Sequence, residues 1–274
     1  MSSAGWLPRL VATDLDGTLL RSDGSVSART VQTLRAVQDA RIQTVVVTAR
    51  PPRWLHDLVD VIGDHGVAIC SNGAFVYDVV NRQVLSERVL TRDVLQTLVG
   101  RLRRAIPSIT FAVESSAGFG HEPAYDSIHP APEGLVVADM DALLDPPPGK
   151  LLARAPDLDD EEFLARVIEV VGERAVVAFS GAGGLAEISA AGVTKAAVLA
   201  DWCLERGIDA TDVWAFGDMP NDLPMLTWAG ASYAVANAHP DVLAAATHAC
   251  PGNDEDGVAQ VLDEMLGRVT DARL

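Results

Sequence analysis

The chain has 274 residues, 49% of them apolar and 22% charged, and a formal net charge of −17. That length exceeds one average domain and suits two compact lobes, and the composition is that of an ordinary globular protein rather than a fibre or a disordered chain. The acidity repels nucleic acid and anionic membrane surfaces, so an anionic ligand needs a local inversion of sign from a divalent cation or from gathered Lys and Arg.

Residues 10–14 read as a short buried strand, 27–40 as a helix opened by Ser-x-x-Thr, and 43–48 as a β-branched second strand. Strand, helix and strand at this spacing imply a parallel pair. A helix over 52–62 introduced by prolines, a strand at 68–70 and a hairpin-like stretch over 74–88 with a turn near Asn81 follow. This alternation predicts a doubly wound, Rossmann-like α/β core. The middle of the chain changes character. It reads as a helix over 90–104, a strand over 109–114, a loop-rich stretch ending in the prolines 146–148, a strand over 151–154, a helix over 159–171, and strands over 175–180 and 185–189. That order predicts a separate α+β lobe. The first pattern then returns, with a helix over 195–206, a strand over 213–217, a helix over 221–228, a strand over 233–236 and closing helices. The expected division is therefore a core built from 1–82 and 188–274, with 83–187 as an inserted α+β cap.

The cysteines, Cys70, Cys203 and Cys250, are odd in number, widely spaced and in no C-x-x-C pattern, which argues against a disulfide framework or a zinc site. The amino end has neither a long apolar core nor a cleavage-like site, and no apolar run reaches membrane-spanning length. These features lead us to expect a cytoplasmic protein. Trp54, Trp202, Trp214 and Trp228 fall on apolar patterns and are expected in the core.

Four stretches carry chemistry. Asp14-Leu15-Asp16-Gly17-Thr18 sits where the first strand ends, and the carboxyl ends of parallel strands form the ligand crevice. There Asp14 can attack phosphorus while Asp16 protonates the leaving oxygen and later activates water, and Gly17 lets the backbone approach phosphate. Thr48 ends the run Val45-Val46-Val47 and can bond a phosphate oxygen, with Arg50 close enough to add charge. Lys195 opens a helix, against the dipole preference, and can hold the transferring phosphoryl group and pair with Asp14. Gly217-Asp218-Met219-Pro220-Asn221-Asp222 follows a strand, and its hard oxygen ligands at Asp218 and Asp222 suit Mg²⁺. Each stretch taken singly also reads as a turn, a helix cap or a solvated lysine. Together they fall at strand ends or helix starts of one sheet.

In that order and placement the four stretches resemble the motifs of the haloacid dehalogenase-like superfamily, and more closely its Cof-type subfamily, whose α/β cap is inserted between the second and third motifs. The resemblance extends through Ser71-Asn72-Gly73-Ala74, Asn237-Ala238-His239-Pro240 and 253–259. It implies an Mg²⁺-dependent phosphatase that acts on a small phosphorylated metabolite, such as a sugar phosphate, through an aspartyl-phosphate. By resemblance Asp14, Asp16 (through its backbone carbonyl), Asp218 and Asp222 serve the metal, while Thr48 and Lys195 bind the phosphate and Asn72 and Asn221 line the pocket. The chain departs from the pattern at Ala49 and Ala196, where glycine is usual, and lacks a Met-Gly pair before Asn237. A phosphomutase of the same superfamily shares the Asp pair, and a non-enzymatic phosphorylation-responsive module is a further alternative, though Asp16 argues against it. Gly118-Phe119-Gly120-His121-Glu122 in the cap is a candidate reader of the substrate, and the sequence leaves the oligomeric state open.

Overall fold

The computed structural model describes residues 7–59, 66–127, 129–179 and 183–272. They fall into two compact units, one running to Gln83 and resuming at Lys195, the other Val84–Thr194.

The first unit is built on a largely parallel sheet. Its strands are β1 (Leu10–Thr13), β2 (Gln43–Val47), β3 (Val67–Cys70) and β4 (Phe75–Asp78), with β12 (Val213–Gly217), β13 (Ala231–Val235) and β14 (His248–Cys250) from the carboxyl-terminal part; the edge strand β5 (Gln83–Glu87) begins on the last residue of this part of the unit. The strand order is β14-β13-β12-β1-β2-β3-β4-β5. Neighbours from β14 to β3 run parallel, and β4 turns back antiparallel on β3. Leu10, Val11 and Ala12 are fully buried, as a strand covered on both faces requires. β1 lies between β2 and β12, so the strand order runs outward from it through β2 and β3 on one side and through β12 and β13 on the other, the switch point at whose carboxyl end a parallel sheet opens a crevice. Helix α1 (Ala28–Asp39) begins where the Ser27 hydroxyl accepts the Thr30 N–H at 3.0 Å, as the Ser-x-x-Thr signal predicts.

The second unit has a six-stranded sheet of order β10-β11-β9-β6-β7-β8, made of β6 (Thr110–Ser115), β7 (Gly118–His121), β8 (Val136–Val137), β9 (Lys150–Arg154), β10 (Ala175–Ala178) and β11 (Ala186–Ala190). It is antiparallel apart from the β7–β8 pair. Helices α2 (Arg92–Ala105) and α4 (Asp160–Val171) bury one face, and the short α3 (Met140–Leu143) adds to the same core. Leu95, Leu98, Val99 and Leu102 recur at helical spacing on α2 and pack with Phe163 and Val167 of α4 on Phe111, Val113, Leu151 and Ile188 of the sheet. Because β11 pairs with β9 and β10 along its length, the seam between units falls before Lys195, beyond the expected 187.

Several expectations need correction. The described part of the expected helix 52–62 is a 3₁₀ segment, Pro52–Leu58, whose buried Leu55 and Leu58 stand three apart, the 3₁₀ period; residues 60–62 lie outside the described residues. The helix 221–228 is split into a 3₁₀ turn, Pro220–Asp222, and α6 (Leu223–Trp228), with α5 (Lys195–Leu204) before it. β7, with two glycines in four residues, reads as loop from sequence but is held by pairing with β6. β14 stands where only closing helices were expected; these are α7 (Pro240–Ala245) and α8 (Gly257–Ala272). Of the four tryptophans expected in the core, Trp54 is 36% exposed and Trp202, Trp214 and Trp228 are half-buried. A large ring with a polar N–H sits readily at a surface with one edge in water. No helix among the described residues is long and apolar enough to cross a membrane.

Candidate active site

Asp14 is the first residue past β1, and its N–H donates to the Phe216 carbonyl at 3.0 Å, which fixes it beside the end of β12. Its carboxylate is buried. The Lys195 ammonium, also buried, donates to Asp14 Oδ1 at 2.6 Å and to Asp222 Oδ1 at 2.7 Å, and so joins the first, third and fourth stretches. The other Asp222 oxygen accepts the N–H groups of Asp218 and Met219 at 3.2 and 3.1 Å, which shapes the turn after β12. Thr18 Oγ1 donates to Asp218 Oδ1 at 2.8 Å and ties the first loop to the fourth.

One carboxylate oxygen from each of Asp14, Asp218 and Asp222 lies within 4.8 Å of the others, all three side chains being buried. Burial raises the Asp14 pKa well above the ordinary carboxylate range; Lys195 opposes the rise, while Asp222 and Asp218 add to it. Burial likewise lifts Asp218 to about 6, against the lowering effect of the Thr18 hydrogen bond. Burial works against the charge on Lys195, but Asp14 and Asp222 outweigh it and hold its pKa above the usual lysine value. Three carboxylates face one ammonium, so the ionised cluster carries two uncompensated negative charges. An all-oxygen donor set with that deficit fits a hard divalent cation.

Gly17 has φ +76°, and a Cβ there would strike the Asp218 carboxylate, so only glycine lets the first loop pass this close. Gly217 is similarly constrained, since an added Cβ would stand 2.6 Å from the Cβ of Asp222.

The remaining expected residues form two smaller groups. Arg50 donates from Nε and Nη2 to the two oxygens of Asp16 at 2.8 and 2.6 Å, so its guanidinium is engaged with a side chain that is 57% exposed. The Asp16 carboxylate stands outside the three-acid cluster. Thr48 is buried and its Oγ1 accepts the Arg50 N–H at 3.0 Å, an ST-turn that orients the loop after β2. The turn after β3 takes positive φ at Ser71 (51°) and Asn72 (58°), which lets the N–H groups of Ser71 and Asn72 reach the Arg50 and Thr48 carbonyls at 2.9 and 3.0 Å. Asn221 Nδ2 donates to Asn72 Oδ1 at 3.2 Å, joining the turn after β3 to the turn after β12, while Asn221 Oδ1 is buried with no partner among the described residues.

Sequence reasoning assigned no role to Asn237 or Asn253. Asn237 Nδ2 donates to the Gly17 carbonyl at 2.7 Å, and Asn237 Oδ1 accepts the Asn253 N–H at 3.0 Å. Asn253 Nδ2 in turn reaches the Leu20 carbonyl at 2.8 Å. These amides brace the first loop from behind. The available signal was the resemblance through Asn237-Ala238-His239-Pro240 and 253–259, which by itself named no role for either amide.

The chain matches the model of the haloacid dehalogenase-like hydrolases over residues 11–262. It is 29% identical over 268 residues to the 5-amino-6-(5-phospho-D-ribitylamino)uracil phosphatase YitU of Bacillus subtilis, covering 94% of this chain and 97% of that one. It is 24% identical over 276 residues to the pyridoxal phosphate phosphatase YbhA of Escherichia coli, covering 93% and 97%. A crystal structure from Streptococcus mutans UA159 superposes with a TM-score of 0.81 at 26% identity, over 95% of this chain and 99% of that one. The matched stretch takes in both parts of the first unit and all of the second, and the chain therefore belongs to the haloacid dehalogenase-like hydrolases, of Cof type.

Proposed function

We propose that the protein is an Mg²⁺-dependent phosphatase that hydrolyses a small phosphorylated metabolite through a phosphoryl group carried on Asp14. The observation that supports this most directly is the buried chain Asp14–Lys195–Asp222 with Asp218 alongside, at the carboxyl end of the central strand. The site residues identified from the sequence take the following roles in this reading.

Asp14 is the nucleophile. One of its carboxylate oxygens attacks phosphorus, the bond from phosphorus to the leaving oxygen breaks, and Asp16 gives that oxygen a proton. Water then attacks the aspartyl-phosphate, Asp16 takes a proton from it, and phosphate leaves as Asp14 is restored. Asp16 serves this shuttle with an oxygen released from the Arg50 fork, and Arg50 so freed meets the phosphate. Lys195 holds Asp14 in place and offsets charge on the transferring group, while Thr48 and the amides of Asn72 and Asn221 orient it. Asp14, Asp218 and Asp222, with the Asp16 backbone carbonyl, hold the metal; when bound, Mg²⁺ supplies the positive charge that admits a phosphate to so acidic a site. Three buried free cysteines accord with a reducing, cytoplasmic setting.

The test is single-turnover release of inorganic phosphate from p-nitrophenyl phosphate and from a panel of phosphorylated metabolites. Wild type releases phosphate, and Asp14→Asn releases none while keeping its fold by circular dichroism. Full turnover in that variant refutes the covalent route, and transfer back to substrate without phosphate release makes the protein a mutase.

A further inference from the structure

The two long helices of the second unit, α2 and α4, leave between them a groove of about 670 Å³, a size common among small-ligand sites. Arg101, Arg104 and Ala105 of α2 line it, together with Arg166, Glu169 and Val170 of α4 and Arg174 just beyond that helix. Four of the 21 Lys and Arg residues thus gather at one concavity of a chain whose net charge is −17. Helical spacing brings them there. Arg101 and Arg104 stand three apart and share one side of α2, while Leu95, Leu98, Val99 and Leu102 take the core side. Arg103 turns elsewhere and pairs with Glu122, the last residue of the stretch singled out in the sequence as a reader.

Few acids answer these arginines. Arg166 pairs with Glu162 one turn earlier and Glu169 cancels a second charge, which leaves two of the four guanidiniums uncompensated. Glu173 precedes Arg174 but lies outside the lining, and counting it still leaves one. Arg101, Arg104 and Arg174 make no ion pair among the described residues, and Arg174 Nη1 reaches only the Val171 carbonyl, at 3.5 Å. Acids outnumber bases 38 to 21 in this chain, and Arg21, Arg29 and Arg50 each find a carboxylate. Cations left side by side repel one another, so their convergence here calls for a counter-charge. A role at the helix ends covers part of the pattern. Arg104 sits in the last turn of α2 and Arg174 follows α4, where a cation complements the dipole, but Arg101 and Arg166 lie further back.

We propose that this groove binds a small oligoanion, a chain of two or three linked phosphate groups. Each guanidinium presents a planar fork of donors that matches two oxygens of an oxyanion, so four forks suit several linked groups better than one. The field limits the length of the ligand. Within a screening length of about 8–10 Å the arginines of the groove dominate, whereas a long polyanion also meets the acidic surface beyond it. Isologous pairing of two copies through this groove sets arginine against arginine, and the same charge opposes it. The site lies wholly within the second unit and does not depend on the phosphatase reading.

The test uses the full chain after chelator treatment and exchange into metal-free buffer, so that no divalent cation draws phosphate to the buried acids of the first unit. Calorimetric titration with tripolyphosphate gives one binding event per chain, weakened by added salt, and orthophosphate binds at least about tenfold more weakly. Arg101→Gln combined with Arg104→Gln lowers the tripolyphosphate affinity at least about tenfold. Its melting temperature stays within about 2 °C of wild type, because only exposed side chains without ion pairs are changed. Arg92→Gln, on α2 outside the groove, and Arg50→Gln, in the first unit, leave the affinity unaltered. ATP in place of tripolyphosphate distinguishes the sources: tighter binding assigns a nucleotide, equal or weaker binding a bare phosphate chain, and either sustains the proposal. No binding by wild type, binding unaltered in the double variant, or binding lost in Arg50→Gln overturns it. So does orthophosphate, an oligonucleotide or polyglutamate binding as tightly as tripolyphosphate.

Discussion

Replacing Lys195 with methionine is the sharpest probe of the charge balance in the first unit. The lysine side chain is 2% exposed and donates to Asp14 at 2.6 Å and to Asp222 at 2.7 Å. Methionine fills much of the same space, so the change removes charge with little change in volume. The carboxylates of Asp14, Asp218 and Asp222 then remain buried with no ammonium among them. Removing one partner of a buried ion pair costs about 3–5 kcal/mol, because the other is left uncompensated. At about 2–4 °C per kcal/mol for a protein of this size, the melting temperature falls by about 6–20 °C. Calorimetry in chelator measures this directly, and saturating Mg²⁺ narrows the gap because the cation takes over part of the charge compensation. Turnover of p-nitrophenyl phosphate falls about 10²- to 10³-fold, as when a preorganised electrostatic partner is removed. A variant that melts within about 2 °C of wild type in chelator, a loss below about 1 kcal/mol, refutes the charge argument. So does unaltered stability on adding Mg²⁺.

Chelation of divalent cations abolishes phosphate release, and Mg²⁺ restores it; activity persisting in excess chelator removes the metal from the mechanism. Gly17→Ala forces a non-glycine residue to φ +76° with its Cβ against the Asp218 carboxylate, so urea unfolding shows a loss of about 1–3 kcal/mol and calorimetric titration a weakened Mg²⁺ affinity. Asn253→Ala leaves the buried Leu20 carbonyl without its 2.8 Å donor and costs about 1–3 kcal/mol in denaturant unfolding, with a smaller effect on kcat than on stability. Equal losses in both place Asn253 in the chemistry instead of behind it.

The sequence by itself determined the α/β class, the insertion of an α+β lobe and the four chemical stretches. Those features are written in local chemistry: apolar runs short enough for buried strands, a helical stretch over 90–104, and acids, a threonine and a lysine placed at element ends. Only the tertiary structure decided which of these side chains meet. Lys195 finds Asp14 across 181 positions and Asp222 across 27, and Thr18 finds Asp218 across 200, because strand order brings β1 and β12 side by side. The pairing of Arg50 with Asp16, the brace through Asn237 and Asn253, and the arginine groove of the second unit were equally out of reach of a linear reading. Periodicity reports which face of an element is apolar, whereas a contact between distant residues depends on sheet order and register, which no single segment encodes.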